Sequence, residues 1–375
     1  MDGMARAITL HQPRRLEIGE GAAGRLGEWA RDHRRIFVLA TEHTKGFLAN
    51  LGLSGEITLF ADIPPEPDTA ALERALEAAR KVRPDLVVGL GGGSVLDVAK
   101  LVAVLWDGDQ TFADVVGPGR VRGRNSALAQ VPTTAGTGSE AGIRALVTDP
   151  ATLSKLAVES SHMIADIAVL DPVLTYTVPP AVTAATGIDA LAHCVEAFTS
   201  LRAHDMIDGF ARMGIGLVGK YLRRAVENGH DTEARAGMML ASYYGGICLG
   251  PVNTAAGHAL AYPLGTRLKL PHGLANAIIF PHVLAFNTPA TPAKTAEITT
   301  LLGLKAAPGA QDVLAVARRF CESLGVEMRL SRHGAQPDDL PQWAAEAHAI
   351  RRLMDNNPCP MTVEDVLGLY RAAYA

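Results

Sequence analysis

One carboxylate and three imidazoles in the second half of the chain have side chains suited to metal binding. Asp189 and His193 are spaced i and i+4, so they share one helix face and can reach one ion. His258 and His272 each lie beside a glycine in apolar segments. This set suits Fe(II) or Zn(II) and does not suit Ca(II) or Mg(II). Two alternatives remain open: Asp189 could merely orient His193, and each histidine could be a hydrogen-bonded core residue.

A glycine-rich turn in the first half could hold an anion. Residues 90–100, LGGGSVLDVAK, place three glycines where a buried strand gives way to a helix. The backbone can pass close to a phosphate there, and Ser94 is predicted to cap the new helix. The turn is neither a GxGxxG fingerprint nor a Walker A loop. The alternative is a plain strand–helix turn with Ser94 as its cap.

A second loop strengthens the prediction of a nucleotide-binding site. Residues 131–140, VPTTAGTGSE, also follow a strand and contain four hydroxyls, those of Thr133, Thr134, Thr137 and Ser139. Hydroxyls and backbone amides suit a pyrophosphate or a ribose, although such a loop can also satisfy its own backbone. Two such turns at the ends of neighbouring parallel strands favour a nucleotide site.

The elements that position these residues change type midway along the chain. Residues 35–40, 85–90 and 128–131 are predicted strands, and 69–82 is a predicted helix, which indicates a parallel sheet covered on both faces. Beyond Pro179 the predicted elements are all helices: 183–200, 205–227, 232–248, 274–287, 311–324 and 362–373. We therefore expect a nucleotide-binding α/β domain over 1–180, an all-helical metal-binding domain over 181–375, and an active site in the cleft between them.

Composition excludes several classes of protein. The 375 residues carry 35 Lys and Arg against 39 Asp and Glu, a formal charge of −4, which argues against a nucleic-acid scaffold or a binder of anionic membranes. With 48% hydrophobic and 20% charged residues, the chain is not mostly disordered. Its apolar stretches are too short to span a bilayer. Four scattered cysteines and the lack of a secretory signal at the start lead us to expect a cytoplasmic protein.

Five segments together resemble the iron-containing (group III) alcohol dehydrogenase family, which is related to glycerol dehydrogenase and dehydroquinate synthase. The segments are GGGSVLDVAK at 91–100, VPTTAGTGSE at 131–140, TAATGIDALAHCVEAF at 183–198, GHALAYPLG at 257–265 and PHGLANAIIFPHVLAFN at 271–287. The resemblance implies a Rossmann-like NAD(P)-binding domain followed by a helical domain that holds a divalent metal. It also implies a homodimer or a higher homo-oligomer, with no nucleic-acid or membrane partner.

The resemblance assigns roles to individual residues. It implies that the metal, Fe2+ or Zn2+, is held by Asp189, His193, His258 and His272. It places the cofactor against residues of both turns and against one lysine near the ribose: Gly92, Gly93, Ser94, Thr133, Thr134, Thr137, Ser139 and Lys155. The implied reaction interconverts a small primary alcohol and its aldehyde by hydride transfer, while the metal polarises the substrate oxygen.

One position departs from the family pattern. Many members carry a further, non-ligand histidine four residues after the ligand that matches His258, and here that position is Tyr262. A phenol is a weaker proton relay at neutral pH than an imidazole. Tyr262 is therefore either a proton relay assisted by the metal or a packing residue, and water or a cofactor hydroxyl could take over the relay.

Two charged residues bear on specificity. Glu42 follows the first predicted strand, where an acid hydrogen-bonds the adenosine ribose, which favours NAD over NADP unless Glu42 is simply solvated. Arg144 lies among apolar neighbours and needs an anionic partner. That partner is either an acidic substrate (a carboxylate, phosphonate or sulfonate) or an ion pair with Glu140 or a nearby Asp. Maleylacetate-reductase-like, hydroxyacid dehydrogenase and dehydroquinate-synthase-type activities are the alternatives.

Overall fold

A computed structural model describes residues 6–108, 110–305 and 309–375, which fall into two compact units. Leu10–Thr177 forms one unit, here the α/β unit. Val178–Ala375, together with residues 6–9, forms the other, here the helical unit. Within the described ranges, none of the helices has the length and hydrophobicity that crossing a membrane requires.

A six-stranded parallel sheet is the centre of the α/β unit. Its strands pair in the order β1-β9-β6-β4-β2-β3. They are β1 (Arg15–Ile18), β2 (Arg35–Leu39), β3 (Glu56–Phe60), β4 (Leu86–Gly91), β6 (Ala127–Pro132) and β9 (Ile167–Leu170). In β2, Ile36 and Val38 enter one core while Phe37 and Leu39 enter another. This alternation shows that apolar layers cover both faces of the sheet.

Helices and a small second sheet complete the α/β unit. The helices are α1 (Arg25–Trp29), α2 (Thr69–Val82), α3 (Gly93–Leu105) and α4 (Phe112–Val115), and the strands are β5 (Gly117–Pro118), β7 (Arg144–Asp149) and β8 (Ser154–Glu159). The Asp68 carboxylate accepts a hydrogen bond from the Ala71 amide at 2.8 Å and so fixes the start of α2. β7 and β8 are antiparallel, and β5 pairs with β8.

The helical unit packs around a nearly fully buried helix, α5. Its helices are α5 (Pro180–Thr199), α6 (Asp205–Glu227), α7 (Thr232–Leu249), α8 (Ala256–Arg267), α9 (His272–Asn287), α10 (Pro292–Leu301), α11 (Ala310–Glu322), α12 (Leu340–His348), α13 (Arg351–Met354) and α14 (Val363–Tyr374). α5 contacts α6, α7 and α9. The fully buried Tyr370 of α14 donates to the Leu260 carbonyl at 2.6 Å and ties α14 to α8.

The predicted fold class, a parallel-sheet α/β part followed by a helical part, is confirmed. Helix 69–82 has the predicted bounds. Helix α9 begins two residues earlier than predicted, at His272, and includes Gly273 in its first turn. The prediction that Ser94 caps α3 is wrong. Gly92 is the N-cap residue, and the Ser94 hydroxyl instead accepts a hydrogen bond from the Glu66 amide at 3.2 Å. The β7–β8 pair lay outside the strand predictions.

Candidate active site

The helical unit brings the four predicted metal ligands onto three neighbouring helices. Asp189 and His193 lie on α5, His258 lies on α8, and His272 begins α9. The Asp189 Oδ1 atom is 3.5 Å from His258 Nε2, 3.7 Å from His272 Nε2 and 3.9 Å from His193 Nε2. Candidate ligand atoms of Asp189, His258 and His272 all lie within 4.8 Å of one another. The His193 ring stacks on that of His258 at a centroid separation of 4.7 Å.

The cluster is buried except on the side of His272. The side chains of Asp189, His258 and His193 are 2%, 3% and 5% exposed, whereas that of His272 is 24% exposed. A small molecule can therefore approach the cluster beside His272. The low exposure of the other three strengthens their electrostatic interactions with an ion.

A buried carboxylate orients His258. Glu196, one helical turn beyond His193 on α5, has Oε1 2.8 Å from His258 Nδ1. Its other oxygen accepts a hydrogen bond from the Ala255 amide. A Cβ atom on Gly257 would come within 2.4 Å of Glu196 Oε1, so a glycine is needed where α8 passes this carboxylate. In the neutral imidazole, a proton on Nδ1 facing Glu196 leaves the lone pair on Nε2, the nitrogen nearer to Asp189.

An amide on α9 completes the surroundings of the cluster. Asn276 Nδ2 donates to Asp189 Oδ1 at 2.6 Å and lies 3.1 Å from His272 Nε2. The Asn276 Oδ1 atom is buried and has no hydrogen-bond partner within the described residues. Asn276 therefore positions two of the candidate ligands.

The ionisable side chains of the cluster shift one another's pKa values. Burial alone would raise the pKa of Asp189, but the adjacent His193, His272 and His258 outweigh it and hold that pKa well below its usual range. Burial lowers the pKa of His193 to about 4. Burial opposes protonation of His258 as well, yet Glu196 and Asp189 together raise its pKa to about 10. The cluster thus attracts a positive charge.

The chemistry of these donors fits a divalent transition metal. In the described residues, His258 Nε2 is buried without a hydrogen-bond partner, and such unmet bonds are uncommon inside proteins. One carboxylate and imidazole nitrogens match the preferences of Fe(II) and Zn(II). The partial exposure of His272 gives access from solvent on that side, as a catalytic metal site requires.

In the α/β unit, the two predicted cofactor turns lie against each other. β4 and β6 are neighbouring parallel strands, with Gly91 paired to Pro132 at their carboxyl ends. A Cβ atom on Gly93 would lie 2.6 Å from Thr137 Cγ2, and one on Gly92 would lie 3.1 Å from Thr134 Oγ1. The buried Thr133 amide donates to the Gly91 carbonyl at 3.0 Å and joins the two turns. Gly92, Gly93 and Ser94 are all partly exposed, so a ligand can reach the start of α3.

Ser139 takes part in a hydrogen-bond network around the buried side chain of Lys100. Lys100, 1% exposed on α3, donates to Ser139 Oγ and to the Arg144 carbonyl, each at 2.7 Å. The Ser139 hydroxyl donates to Asp97 Oδ1, and Asp97 Oδ2 accepts from the Leu146 amide at 2.9 Å. The nearby Glu140 is fully buried, and burial raises the pKa of its carboxyl to about 7. These bonds fasten the second turn and β7 to α3.

Two further sequence-predicted residues have protein partners. Lys155 forms an ion pair with Glu66 and donates to Thr148 Oγ1 at 2.8 Å. Glu42 is exposed just beyond β2 and pairs with Lys45 at 2.6 Å. Both positions remain predictions as cofactor contacts.

Arg144 lies in a cross-strand ion pair. Its Nη2 and Nε atoms are 2.6 Å and 3.1 Å from Glu159 Oε2, and the two residues are directly opposite on β7 and β8. The sequence predicts Glu140 or a nearby aspartate as the alternative to a substrate anion, and the structure shows an ion pair of that kind with Glu159. Tyr262, the other predicted substrate-side residue, has its ring centre 6.0 Å from that of His272.

Sequence reasoning missed the residues that hold the others in place. Glu196 lies three residues after His193, and Asn276 lies four after His272, so helical spacing from the candidate ligands could have found both. Lys100 also follows the glycine turn, but nothing local shows that a lysine there will be buried.

Both halves of the chain match profiles of one protein family. Residues 13–172 match the family described as "Iron-containing alcohol dehydrogenase", and residues 183–374 match "Fe-containing alcohol dehydrogenase family, C-terminal". A curated relative, long-chain-alcohol dehydrogenase 1 of Geobacillus thermodenitrificans, is 36% identical over 355 residues, which is 88% of each chain.

Solved structures give the same result. The chain is similar to a 1,3-propanediol oxidoreductase, with a TM-score of 0.92, 28% identity and coverage of 98% of this chain and 100% of that one. It is also similar to a sulfoacetaldehyde reductase from Bifidobacterium kashiwanohense in complex with NAD+, with a TM-score of 0.88 and 25% identity. That match covers 99% of this chain and 100% of the other.

Proposed function

The chain belongs to the iron-containing alcohol dehydrogenase family, and from that premise we propose that it interconverts a small primary alcohol and its aldehyde using NAD(H) and divalent iron. Family membership makes it an oxidoreductase of alcohol and aldehyde groups. The specific proposal is that Asp189, His193, His258 and His272 hold the metal and that the two turns of the α/β unit hold NAD(H).

One observation carries this proposal: His258 Nε2 is buried beside Asp189 with no hydrogen-bond partner in the described residues, while Glu196 occupies Nδ1. A histidine with one nitrogen so engaged and the other facing a buried carboxylate is arranged as a metal ligand. When bound, the divalent metal supplies a Lewis acid for the substrate oxygen.

The protein's own groups prepare the site for this chemistry. Asp189 contributes a buried negative charge that offsets an incoming cation, and Glu196 keeps the His258 proton on Nδ1. The burial of Asp189, His193 and His258 excludes water except beside His272. Tyr262 lies next to His272, where its hydroxyl is the proposed proton relay to solvent.

The cofactor assignment rests on the contact between the two turns. The start of α3 presents free amides and a positive dipole end to a phosphate, and Thr134 and Thr137 lie beside it. Bound NAD(H) would supply or accept the hydride, so the task of these residues is to align it. Glu42 favours NAD(H), because a 2′-phosphate at the ribose would be repelled.

An acidic substrate bound by Arg144 remains a prediction. The pairing of Arg144 with Glu159 supports the ion-pair alternative, since the guanidinium already faces a carboxylate at 2.6 Å. An Arg144→Gln variant, assayed with an acidic and a neutral aldehyde, tests this residue directly. A selective loss of acidic substrates in that variant would support Arg144 as the anchor.

The proposed function is tested with protein reconstituted anaerobically with Fe(II). We expect it to oxidise NADH in the presence of butanal, to prefer NADH over NADPH, and to be inactive when the metal is withheld. His258→Ala, loaded in the same way, is the inactive control. Absence of butanal-dependent oxidation with both Fe(II) and Zn(II), and with both nucleotides, would contradict the proposal.

A further inference from the structure

An arginine lies beside the accessible side of the metal cluster. Arg352, on α13, has its guanidinium carbon 5.7 Å from the centre of the Tyr262 ring and its Nη2 atom 3.4 Å from the Tyr262 hydroxyl. The same ring lies 6.0 Å from His272, the most exposed of the candidate ligands. The Tyr262 ring therefore lies between the Arg352 guanidinium and His272, where substrate can reach the cluster.

The charge of Arg352 is not compensated by a neighbouring acid. Its side chain is exposed, and within residues 6–108, 110–305 and 309–375 no carboxylate lies within ion-pair distance of it. Its sequence neighbour Arg351 differs, because it pairs with Asp355 one turn away. Arg144 and Arg267 are likewise paired, with Glu159 and Glu346. Arg352 thus keeps planar donors available for an anion.

Packing holds Arg352 in this position. Leu353 and Met354, the next two residues of α13, are buried in the core that also contains the apolar face of α8. The Arg352 carbonyl accepts a hydrogen bond from Asn356 Nδ2 at 3.2 Å. The backbone of α13 is thus fixed against α8, which keeps the Arg352 side chain within reach of Tyr262.

We propose that Arg352 binds an anionic group at the far end of the substrate, so that the enzyme prefers small aldehydes and alcohols bearing a carboxylate or a sulfonate. The inference rests on the proposed function and names its substrate class. A guanidinium pairs with such groups through two parallel hydrogen bonds, while the Tyr262 hydroxyl remains the proton relay. The reaction is unchanged: the aldehyde gains a hydride from NADH and a proton from the relay, and alcohol and NAD+ leave.

The test compares two aldehydes of equal carbon count, succinic semialdehyde and butanal, with the Fe(II)-loaded enzyme. We expect the wild type to show a higher kcat/KM for the acid. Arg352→Gln should raise KM for succinic semialdehyde about 10- to 100-fold and leave kcat/KM for butanal within about 2-fold. Arg352→Lys should recover part of the loss. Arg351→Gln is the matched control, since that residue is adjacent, exposed and already paired, and it should change neither substrate.

Salt provides a readout that a structural role would not give. Added salt should raise KM for the acidic aldehyde in the wild type but not in Arg352→Gln, because an exposed charge pair is screened. The inference is overturned if Arg352→Gln weakens both aldehydes equally, if Arg351→Gln has the same effect, or if the wild type prefers butanal. A wild type inactive with both aldehydes, whether loaded with Fe(II) or Zn(II) and supplied with NADH or NADPH, would overturn the proposed function itself.

Discussion

The candidate metal cluster of the helical unit and the predicted cofactor turns of the α/β unit differ in how many of their polar atoms have hydrogen-bond partners. In the cluster, His258 Nε2 and Asn276 Oδ1 are buried without partners in the described structure. In the turns, the Ser139 hydroxyl is engaged by both Lys100 and Asp97. An unmet buried bond points to a missing ligand, whereas a fully bonded side chain is already explained by the fold. Residue type alone does not separate the two cases.

The largest expected effect comes from removing a ligand atom that has no other partner. His258→Ala should abolish specific metal binding and lower activity by at least about 10³-fold, because Lewis-acid assistance is lost. Metal content after dialysis and activity under anaerobic loading measure the two effects. His282, buried on α9 with an unpartnered Nε2 outside the cluster, offers a control. Equal metal loss in His282→Leu would show that the effect of His258→Ala does not depend on a ligand of the cluster.

Removing the group that orients His258 should have a smaller effect. Glu196→Gln keeps the size of the side chain beside Gly257 but replaces the carboxylate that faces His258 Nδ1. We expect metal affinity to fall about 10- to 100-fold. Competition with a chelator measures this affinity without relying on turnover. Unchanged affinity would show that Glu196 supports only the fold of α8.

A change at the cofactor turns should leave the metal untouched. In Gly93→Ala the new methyl group would lie 2.6 Å from Thr137 Cγ2, which forces the two turns apart. NADH affinity, measured by fluorescence titration, should fall about 10-fold, a typical cost of overpacking. Gly123→Ala, where a Cβ atom meets nothing within 4 Å, is the matched control. A parallel loss of metal affinity would argue against separate roles for the two regions.

The smallest effect on binding is expected at Ser139. Because its hydroxyl is occupied by Lys100 and Asp97, Ser139→Ala should leave the Kd for NADH within about 2-fold while it lowers stability by about 1–2 kcal/mol. Denaturant unfolding and NADH titration separate the two quantities. If NADH binding weakens strongly while stability is unchanged, Ser139 is a cofactor contact, as the sequence predicts.

Local sequence patterns predicted the fold class and several of its elements, such as helix 69–82, because hydrophobic periodicity and turn residues report on short segments. They did not predict the short strands β7 and β8 or helix α8. They also selected four side chains that the structure places together around Asp189. Patterns could not show that Arg144 faces Glu159, because that pairing depends on the register of β7 and β8. Nor could they show that Ser94 lies inside α3, since either Gly92 or Ser94 fits an N-cap.

The bond from Tyr370 to the Leu260 carbonyl has a consequence for the motions of the protein. Terminal helices usually open on their own and exchange their amide hydrogens quickly. Here α14 shares a core with α8, which carries the proposed metal ligand His258, so opening of α14 would disturb the proposed metal site. Metal binding should therefore slow hydrogen exchange along α14, although none of the candidate ligands lies on that helix.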